Sequence, residues 1–170
     1  MSRKPATRRS HGRVTPRAER PHMPGYGLPK GRKGLLSWAW AQRRLTGSRN
    51  YWLITVRPDG RPHAMLVWGL WLDRAFYFST GGTSRKARNL RRNPRCVVGS
   101  ERADQAVIVE GVARKVTNEQ VLARLARPYH AKYKPWKLDP ELGPVYAVRP
   151  RVAFGMHEKR FASAATRWRF

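Results

Sequence analysis

The chain is poor in acidic residues, has a single cysteine and lacks any long apolar segment. Its 170 residues hold 36 lysines and arginines against 10 aspartates and glutamates, which gives a formal net charge of +26. Because Cys96 is alone, no disulfide can form within the chain, and this suits a reducing compartment. No stretch approaches the roughly 18 consecutive apolar residues of a membrane span. We therefore expect a cytoplasmic protein that does not enter membranes.

The shortage of acids divides the chain into two parts. Residues 1–33 hold ten lysines and arginines and one acid, Glu19, and they are rich in Pro, Gly and Ser. Such a segment cannot bury enough apolar surface to fold, so residues 1–33 are predicted to be a disordered basic arm. Residues 34–170 are predicted to form one folded domain, which is also basic. Positive charge in both parts predicts an anionic ligand or partner.

Short apolar runs separated by turn residues predict a mainly β protein with a few short helices. The predicted strands are residues 50–56, 63–72, 75–80, 95–100, 105–116, 145–156 and 166–170. The predicted helices are residues 34–47, residues 83–92 and a segment capped by Asn118. Gly111 lies inside a long strand and predicts a β-bulge there. Antiparallel strands in such number usually close into a barrel, so we expect a barrel of six or seven strands.

Residues 77–94 have the pattern of an anion site. A β-type run ends at two glycines, and a helix then begins with Thr83 and Ser84, followed by Arg85 and Lys86. A helix N-terminus favours anions, because its first N–H groups are unpaired and carry partial positive charge. The hydroxyls and cations supply further donors, each charge-assisted hydrogen bond being worth roughly 1.5–3 kcal/mol. The pattern predicts a phosphate site, and its alternative is a capped, solvated basic helix.

Six short segments are informative through their order and spacing. They are Asp59-Gly60-Arg61-Pro62-His63, Val67-Trp68-Gly69, Tyr77-Phe78-Ser79-Thr80, Ser84-Arg85-Lys86-Ala87-Arg88-Asn89-Leu90, Asn93-Pro94-Arg95 and Val109-Glu110-Gly111. Together they resemble the pyridoxamine-phosphate-oxidase-like family of flavin- and deazaflavin-binding split barrels, over roughly residues 50–170. The resemblance implies a split β-barrel that binds FMN or the deazaflavin coenzyme F420 between the subunits of a homodimer.

The resemblance also implies where the cofactor would lie. Its ring system would run along the strand at residues 64–69, and the residues assigned to it there are Ala64, Met65, Val67 and Trp68. The residues assigned to the phosphate are Thr80, Ser84, Arg85 and Lys86, with Asn89 close behind. In that family a Trp and an Arg late in the partner chain approach the ring, which points here to Arg167 and Trp168. The aromatic residues considered for the pocket wall are Tyr51, Trp52, Trp68 and Trp71, although strand aromatics are more often core.

The resemblance also implies an activity, that of an oxidoreductase that transfers hydride to a conjugated small-molecule substrate. A bound flavin supplies this chemistry itself, so the lack of an obvious acid–base pair does not argue against an enzyme. F420 carries a polyglutamate tail beyond its phosphate, which the basic domain would suit, so F420 is slightly favoured over FMN. Oxidation of pyridoxamine phosphate is not expected, because relatives with that activity carry Gln five residues before the strand glycine, where this chain has Ala106.

Two other functions stay open. A nucleic-acid-binding protein would use the many cations for phosphate contacts, above all through the arm. The aromatics lie within strands rather than among the arginines of the arm, and no recognised nucleic-acid motif occurs. A non-catalytic flavin carrier fits the same residues as the enzyme. The five histidines show no metal-ligand spacing, so no metal site is predicted, and His63 is interpreted as structural.

Overall fold

Residues 15–170, which the computed structural model describes, form eight strands and four short α-helices. The strands are β1 (Arg17–Glu19), β2 (Asn50–Val56), β3 (Pro62–Leu72), β4 (Ala75–Ser79), β5 (Arg95–Ser100), β6 (Val107–Lys115), β7 (Val145–Gly155) and β8 (Thr166–Arg169). The helices are α1 (Trp38–Gly47), α2 (Arg85–Arg92), α3 (Glu119–Tyr133) and α4 (Phe161–Ala164), the last preceded by a 3₁₀ turn, Glu158–Arg160. The predicted mainly β fold is confirmed.

Six of the strands close into an antiparallel barrel. Their order around it is β7, β4, β3, β2, β5 and β6, and β6 pairs back onto β7. Closure is possible because β7 pairs with β6 along one edge and with β4 and then β8 along the other. The bulge predicted at Gly111 is confirmed, since the register between β6 and β7 shifts between Glu110 and Gly111. β8 and β1 extend the sheet beyond the closed barrel.

The core fills the barrel, and burial alternates along β2, β5 and β6, whereas β4 is buried at four consecutive residues, Ala75–Phe78. On β2, Tyr51, Leu53 and Thr55 are buried, while Trp52 between them is exposed. Burial of such side chains is the main favourable contribution to folding, at roughly 25 cal/mol per Å² of apolar area. A second, smaller core lies between α3 and the outer side of the barrel and includes Leu125 and Tyr133. It attaches α3 beside β3.

The pairing of β3 changes partner along its length. Residues 62–68 pair with β2, whereas pairing with β4 covers only Gly69–Leu72. The two strands β3 and β4 therefore separate at Gly69, and beyond that point the edge of β3 facing β4 carries no strand partner within the described structure. A free strand edge exposes backbone N–H and C=O groups. This opening in the barrel wall is the feature that positions the candidate site.

The prediction of a disordered arm over residues 1–33 is wrong for its second part. β1 pairs with β8 from Arg17 to Glu19, and residues 1–14 lie outside the described residues. The Arg20 guanidinium donates hydrogen bonds to four backbone carbonyls, those of Gly31, Lys33, Ser163 and Ala165. Partners far along the chain thus order a segment whose composition alone predicts disorder.

Two of the predicted helices begin later than expected, because a serine near the predicted start of each is the N-cap rather than part of the first turn. Ser37 caps α1 and Ser84 caps α2, each accepting a hydrogen bond from a backbone N–H in the first turn. Asn118 caps α3 as predicted. Between residues 15 and 170 no helix has the length and apolar character needed to cross a membrane.

Candidate functional site

A surface cleft of about 480 Å³ lies where β3 and β4 separate. The side chains and backbone that line it come from five elements, β2, β3, β4, α2 and α3, and from the loop after β4. They are Asn50, Leu66, Val67, Trp68, Ser79, Thr80, Lys86 and Tyr129. One end of the cleft is polar and lies at the start of α2, whereas the other is apolar and lies along β3. No carboxylate is among these lining residues.

The polar end of the cleft is built around the cap of α2. The Ser84 hydroxyl oxygen accepts a hydrogen bond from the Ala87 N–H (3.2 Å) and lies 3.0 Å from the Thr80 hydroxyl oxygen. The two hydroxyls have two protons, and their mutual hydrogen bond uses one of them. The other proton can be donated to a bound group. Thr80 is held in turn by its backbone N–H, which donates to the Pro144 carbonyl (3.3 Å).

Two cations in the first turn of α2 have no acidic partner. The five ion pairs in the described part of the chain involve neither Arg85 nor Lys86. Arg85 is exposed, whereas Lys86 is partly buried in the cleft wall, and this burial lowers its pKa. Desolvation disfavours an unpaired ammonium group, so a bound anion would stabilise it.

Cations further along α2 hold the loop that precedes it. Arg88 donates a hydrogen bond to the Thr83 carbonyl (2.8 Å), and Arg91 donates to the Gly82 carbonyl (2.8 Å). These contacts fix the backbone between β4 and α2. They also bring two more positive charges close to the polar end of the cleft.

Arg57 and His63 are not among the residues that line the cleft and are not predicted ligand residues, but His63 is close enough to Lys86 and Arg85 for their charges to act on it. Arg57 follows β2, and His63 lies opposite Thr55 in the pairing of β2 with β3. The Nε of Arg57 and the Nδ1 of His63 are buried without a protein hydrogen-bond partner among residues 15–170. Burial, followed by the charges of Arg57, Lys86 and Arg85, lowers the pKa of His63. The sequence pattern gives no signal for Arg57.

The apolar end of the cleft is an aromatic wall supported by α3. Trp68 stacks on Tyr133 with ring centroids 4.9 Å apart and an interplanar angle of 10°, and Trp136 lies 6.3 Å away. Tyr129, one helical turn before Tyr133, lines the cleft itself. No local sequence signal connects α3 to this site, because its contact with β3 is long-range.

A buried polar network anchors this wall to the barrel. The Tyr133 hydroxyl accepts a hydrogen bond from the Gly69 N–H (2.8 Å) and lies 2.7 Å from the Arg49 carbonyl. The Lys132 ammonium donates to the Gly69 carbonyl (3.0 Å) and to the Tyr51 hydroxyl (2.9 Å). Burial lowers the pKa of Lys132 to about 8 and raises that of Tyr133 to about 12. The network therefore holds Gly69 where β3 and β4 separate.

The structure brings most of the predicted site residues together. The predicted residues that line the cleft are Val67, Trp68, Thr80 and Lys86. Ser84 and Arg85 adjoin them on α2, and Ala64 and Met65 lie exposed further along β3. Asn89 is fully buried behind the helix, where its side-chain amide donates to the Thr55 hydroxyl (2.9 Å).

Arg167 and Trp168 are not part of the cleft. Trp168 is fully buried in the core with its ring 5.3 Å from that of Trp38, so it is not available to a ligand. Arg167 lies next to it on β8, and its guanidinium is 3.4 Å from the Glu19 carboxylate. The expected contact of Arg167 with a partner's cofactor stays a prediction, whereas the complete burial of Trp168 in the core of its own chain argues against such a contact for that residue.

The aromatic residues considered for the pocket wall separate into three groups. Trp68 lines the cleft, whereas Tyr51 and Trp71 are core residues and Trp52 is exposed on the outer face of β2. Within residues 15–170 no three His, Cys, Asp or Glu side chains are grouped so that they could hold a metal ion.

Solved structures with the same fold carry different names. A conserved hypothetical protein of Mycobacterium tuberculosis, Rv2991, is 24% identical with a TM-score of 0.66, over 78% of this chain and 92% of that one. An F420 reductase is 22% identical with a TM-score of 0.53, over 65% and 94% of the two chains. HutZ, a heme storage protein from Vibrio cholerae, is 16% identical with a TM-score of 0.51, over 65% and 87%. At such identities the likeness shows the fold alone.

A search of the curated proteins found no match. The family profile described as pyridoxamine 5'-phosphate oxidase matches residues 39–156, which is more than half of the chain. The matched segment contains β2 to β7, the polar end of the cleft and its aromatic wall. The chain therefore belongs to the pyridoxamine 5'-phosphate oxidase family.

Proposed function

We propose that this protein is an oxidoreductase that binds the deazaflavin F420 or FMN in the cleft between β3 and α2. It would transfer hydride to or from a conjugated small-molecule substrate, and the cofactor would lie at a homodimer interface. The observation that carries the proposal is the pairing of two features in one cleft. A polar end with unpaired cations adjoins a free strand edge, as a phosphate joined to a flat ring system requires.

The residues present fit the phosphate of such a cofactor. Arg85 and Lys86 would supply charge, and the Thr80–Ser84 pair would supply a hydroxyl donor at the N-terminus of α2. Lys86 is partly buried without an acidic partner, a costly arrangement for a protein that binds no anion. Asn89 would act behind them by attaching α2 to β2 through Thr55.

The residues along β3 fit the ring system. The free edge of residues 64–68 offers backbone donors and acceptors, which can pair with the polar edge of a pyrimidine-type ring. Val67 and Trp68 line the cleft beside this edge and would exclude water from one side of the ring. When bound, a flavin or deazaflavin supplies the hydride chemistry. The protein then contributes position, a dry surface and positive charge.

The charge on α2 favours a cofactor with more than one anionic group. Arg88 and Arg91 lie beyond the first turn and carry charge close to the loop that follows β4. A polyglutamate tail extending past the phosphate would meet these residues, so F420 is favoured over FMN. Association with such a ligand should be accelerated at low salt, because screening at moderate ionic strength acts over about 10 Å.

A second copy of the chain would cover the outer face of β2 and β3. Trp52 lies opposite Leu66 in the pairing, and both share this face with Trp68. Their exposures are 45%, 49% and 37%. Large apolar side chains grouped in this way mark an interaction surface. Leu66 and Trp68 also line the cleft, so a second copy seated here would close it, and the family resemblance implies a homodimer.

The aromatic wall supports a substrate with a flat apolar part. Tyr129 and Trp68 face the cleft, and Trp136 beside them is 61% exposed. A conjugated substrate could lie against these rings by offset stacking, worth about 0.5–1.5 kcal/mol per pair beyond area burial.

A fluorescence titration with F420 and, separately, with FMN at two salt concentrations tests the proposal. We expect at least one of the two cofactors to bind with a micromolar or lower Kd. A loss of F420 affinity at higher salt would support a contact between its polyglutamate tail and the cations of α2. Sedimentation or light scattering should give a dimer, and Leu66→Lys should shift it toward monomer. If neither cofactor binds at millimolar concentration, the proposal is wrong.

Nucleic-acid binding is the competing function, and it would be carried by the general positive charge of +26. Strong, salt-dependent binding of an oligonucleotide by a protein that binds neither cofactor would favour it. A protein that binds F420 tightly but reduces no acceptor would instead be a carrier. A cytoplasmic location stays a prediction and is compatible with all three.

A further inference from the structure

His63 lies at the point where α2 is attached to the barrel. It is directly opposite Thr55 in the pairing of β2 with β3, and the Thr55 hydroxyl accepts a hydrogen bond from Asn89 of α2. This attachment brings the first turn of α2, with Arg85 and Lys86, toward the His63 ring. The imidazole is therefore next to the residues that would hold the phosphate.

The charges that act on His63 are all positive. Arg57 contributes from the end of β2, and Lys86 and Arg85 contribute from α2. In the turn that leads into β3, Asp59 is exposed and paired with Arg61 at 2.7 Å. The imidazole Nδ1 and the Arg57 Nε are both buried and have no protein partner in the described part of the chain. Buried polar atoms normally have one; four other buried side-chain atoms of the described residues also lack one, among them the Oδ1 of Asn89, so the lack supports a site here only together with the position of His63 opposite Thr55.

We propose that Arg57 and His63 complete the phosphate site, and that His63 takes up a proton when a phosphate group binds. The inference rests on the proposed function, since the phosphate is that of the cofactor. It adds two residues, Arg57 and His63, to the phosphate site and couples proton uptake to ligand binding. No bond is made or broken, and the proton comes from solvent.

The sign of the linkage follows from the local charges. In the free protein, burial and three cations lower the pKa of His63, so the ring is neutral near pH 7. A bound phosphate brings negative charge into the same space and raises the pKa of the ring. Binding is therefore coupled to protonation between the free and bound pKa values. Affinity rises as pH falls through this window and is constant above it.

The two cofactors respond differently to pH for a chemical reason. The phosphate of FMN is a monoester with a second pKa near 6, so it loses a charge in the range where His63 gains one. The phosphate of F420 is joined on both sides and keeps one charge throughout. The ring hydroxyl of F420 also titrates near neutral pH, and its absorbance reports that proton separately, so F420 remains the cleaner probe and FMN should show a weaker and curved dependence.

The experiment measures the Kd of F420 between pH 5.5 and 8 at constant ionic strength. Wild type should bind more tightly at low pH, by about tenfold for each unit by which the His63 pKa rises. His63→Gln, which never carries charge, should bind weakly and without this dependence. His63→Lys, charged throughout, should bind tightly across the range. His22→Gln is the matched control, because His22 is exposed in the loop after β1, and it should follow wild type.

Calorimetry in two buffers of different ionisation enthalpy measures the proton directly. We expect wild type to take up a fraction of a proton per F420 near pH 6.5 and His63→Gln to take up none. This measurement on wild type decides the matter even if a variant does not fold. Tight F420 binding with no proton uptake and no pH dependence would overturn the inference and leave the proposed function standing. Failure of wild type to bind F420 and FMN at every pH would overturn both.

Discussion

Two groups of cations in this protein differ in whether the chain supplies hydrogen-bond acceptors or carboxylates to them. At the corner where β1 meets β8, Arg20 donates to four backbone carbonyls, and Arg169 donates to the Glu19 carboxylate at 2.7 Å. At the start of α2, Arg85 and Lys86 have no acidic partner within the described structure. The corner cations have protein acceptors that stabilise the fold, whereas the α2 cations have no acidic partner among residues 15–170, which is the basis for proposing that they bind a ligand.

The difference gives a criterion for proposing which cations bind a ligand in a protein where charge is abundant. With 36 lysines and arginines, a count of cations indicates nothing about any one of them. The presence or absence of protein acceptors is informative. A cation with protein acceptors stabilises the fold, whereas a partly buried cation without acceptors lowers the stability of the folded state. Removing the first kind should reduce stability, and removing the second kind should reduce ligand affinity.

Replacing both α2 cations should have the largest effect. Arg85→Ala combined with Lys86→Ala removes two charge-assisted contacts, each worth about 1.5–3 kcal/mol, so the Kd of F420 or FMN should rise at least about 100-fold. The free energy of unfolding should change by less than about 0.5 kcal/mol, because neither side chain has an ion-pair partner among residues 15–170. A fluorescence titration measures the Kd, and urea denaturation measures the free energy of unfolding.

The matched control removes the same charge elsewhere on the basic surface. Arg92→Ala combined with Arg95→Ala changes two exposed cations at the other end of α2 and the start of β5. It should weaken binding only slightly, and this slight effect should vanish at high salt. Equal losses in both double variants would mean that general charge, rather than the cleft, binds the cofactor.

Replacing Arg20 should reverse the pattern. Arg20→Ala leaves four carbonyls without their donor and should lower the free energy of unfolding by about 1–3 kcal/mol. The Kd of the cofactor should not change, because this corner is not part of the cleft. Arg17→Ala, on the exposed side of β1, is the control and should stay within about 0.5 kcal/mol. If Arg20→Ala instead weakened cofactor binding and left the free energy of unfolding unchanged, the comparison between the two groups of cations would be wrong.

Local patterns were sufficient to predict most of the fold. The strand predicted at residues 95–100 has the observed bounds, and Asn118 begins α3 as expected. The phosphate site stays a prediction; the structure places Lys86 in the cleft wall and Ser84 at the cap of the same helix, because cap, charge and turn all lie within a few residues. These features depend on neighbours in the sequence, and the sequence shows neighbours directly.

What could not be predicted depends on contacts between distant segments. β1 forms only because β8 supplies its partner strand about 150 residues later, and Trp168 is core only because α1 brings Trp38 against it. Tyr129 lies in the cleft because α3 folds back onto β3. The role proposed for Arg57 depends on the burial of its Nε without a hydrogen-bond partner among the described residues, which only the folded structure shows. Composition and periodicity carry no information about such pairs.

Neutralising Glu19 should have a smaller effect than replacing Arg20. Glu19→Gln keeps the shape of the side chain and removes two ion pairs, with Arg169 and Arg167, of the partly exposed kind that contributes about 0.2–1 kcal/mol. The nearby arginines lower the pKa of Glu19. Its contribution is therefore present above the ordinary glutamate range and is lost as pH falls through the lowered pKa. Urea denaturation at pH 7 and pH 3.5 should show the gap between wild type and variant closing at the lower pH.

Lys132 tests whether the comparison extends to a cation that has only neutral partners. Its ammonium donates to the Gly69 carbonyl and the Tyr51 hydroxyl, yet burial lowers its pKa from 10.5 to about 8. Between about pH 8 and 10 the unfolded chain binds the proton more strongly than the folded one, so wild type should become more stable as pH rises. Lys132→Met lacks this term, and its stability relative to wild type should fall across that window. A gap that stays constant from pH 7 to 10 would mean that the two hydrogen bonds satisfy the charge fully, and Lys132 would then belong with the corner cations.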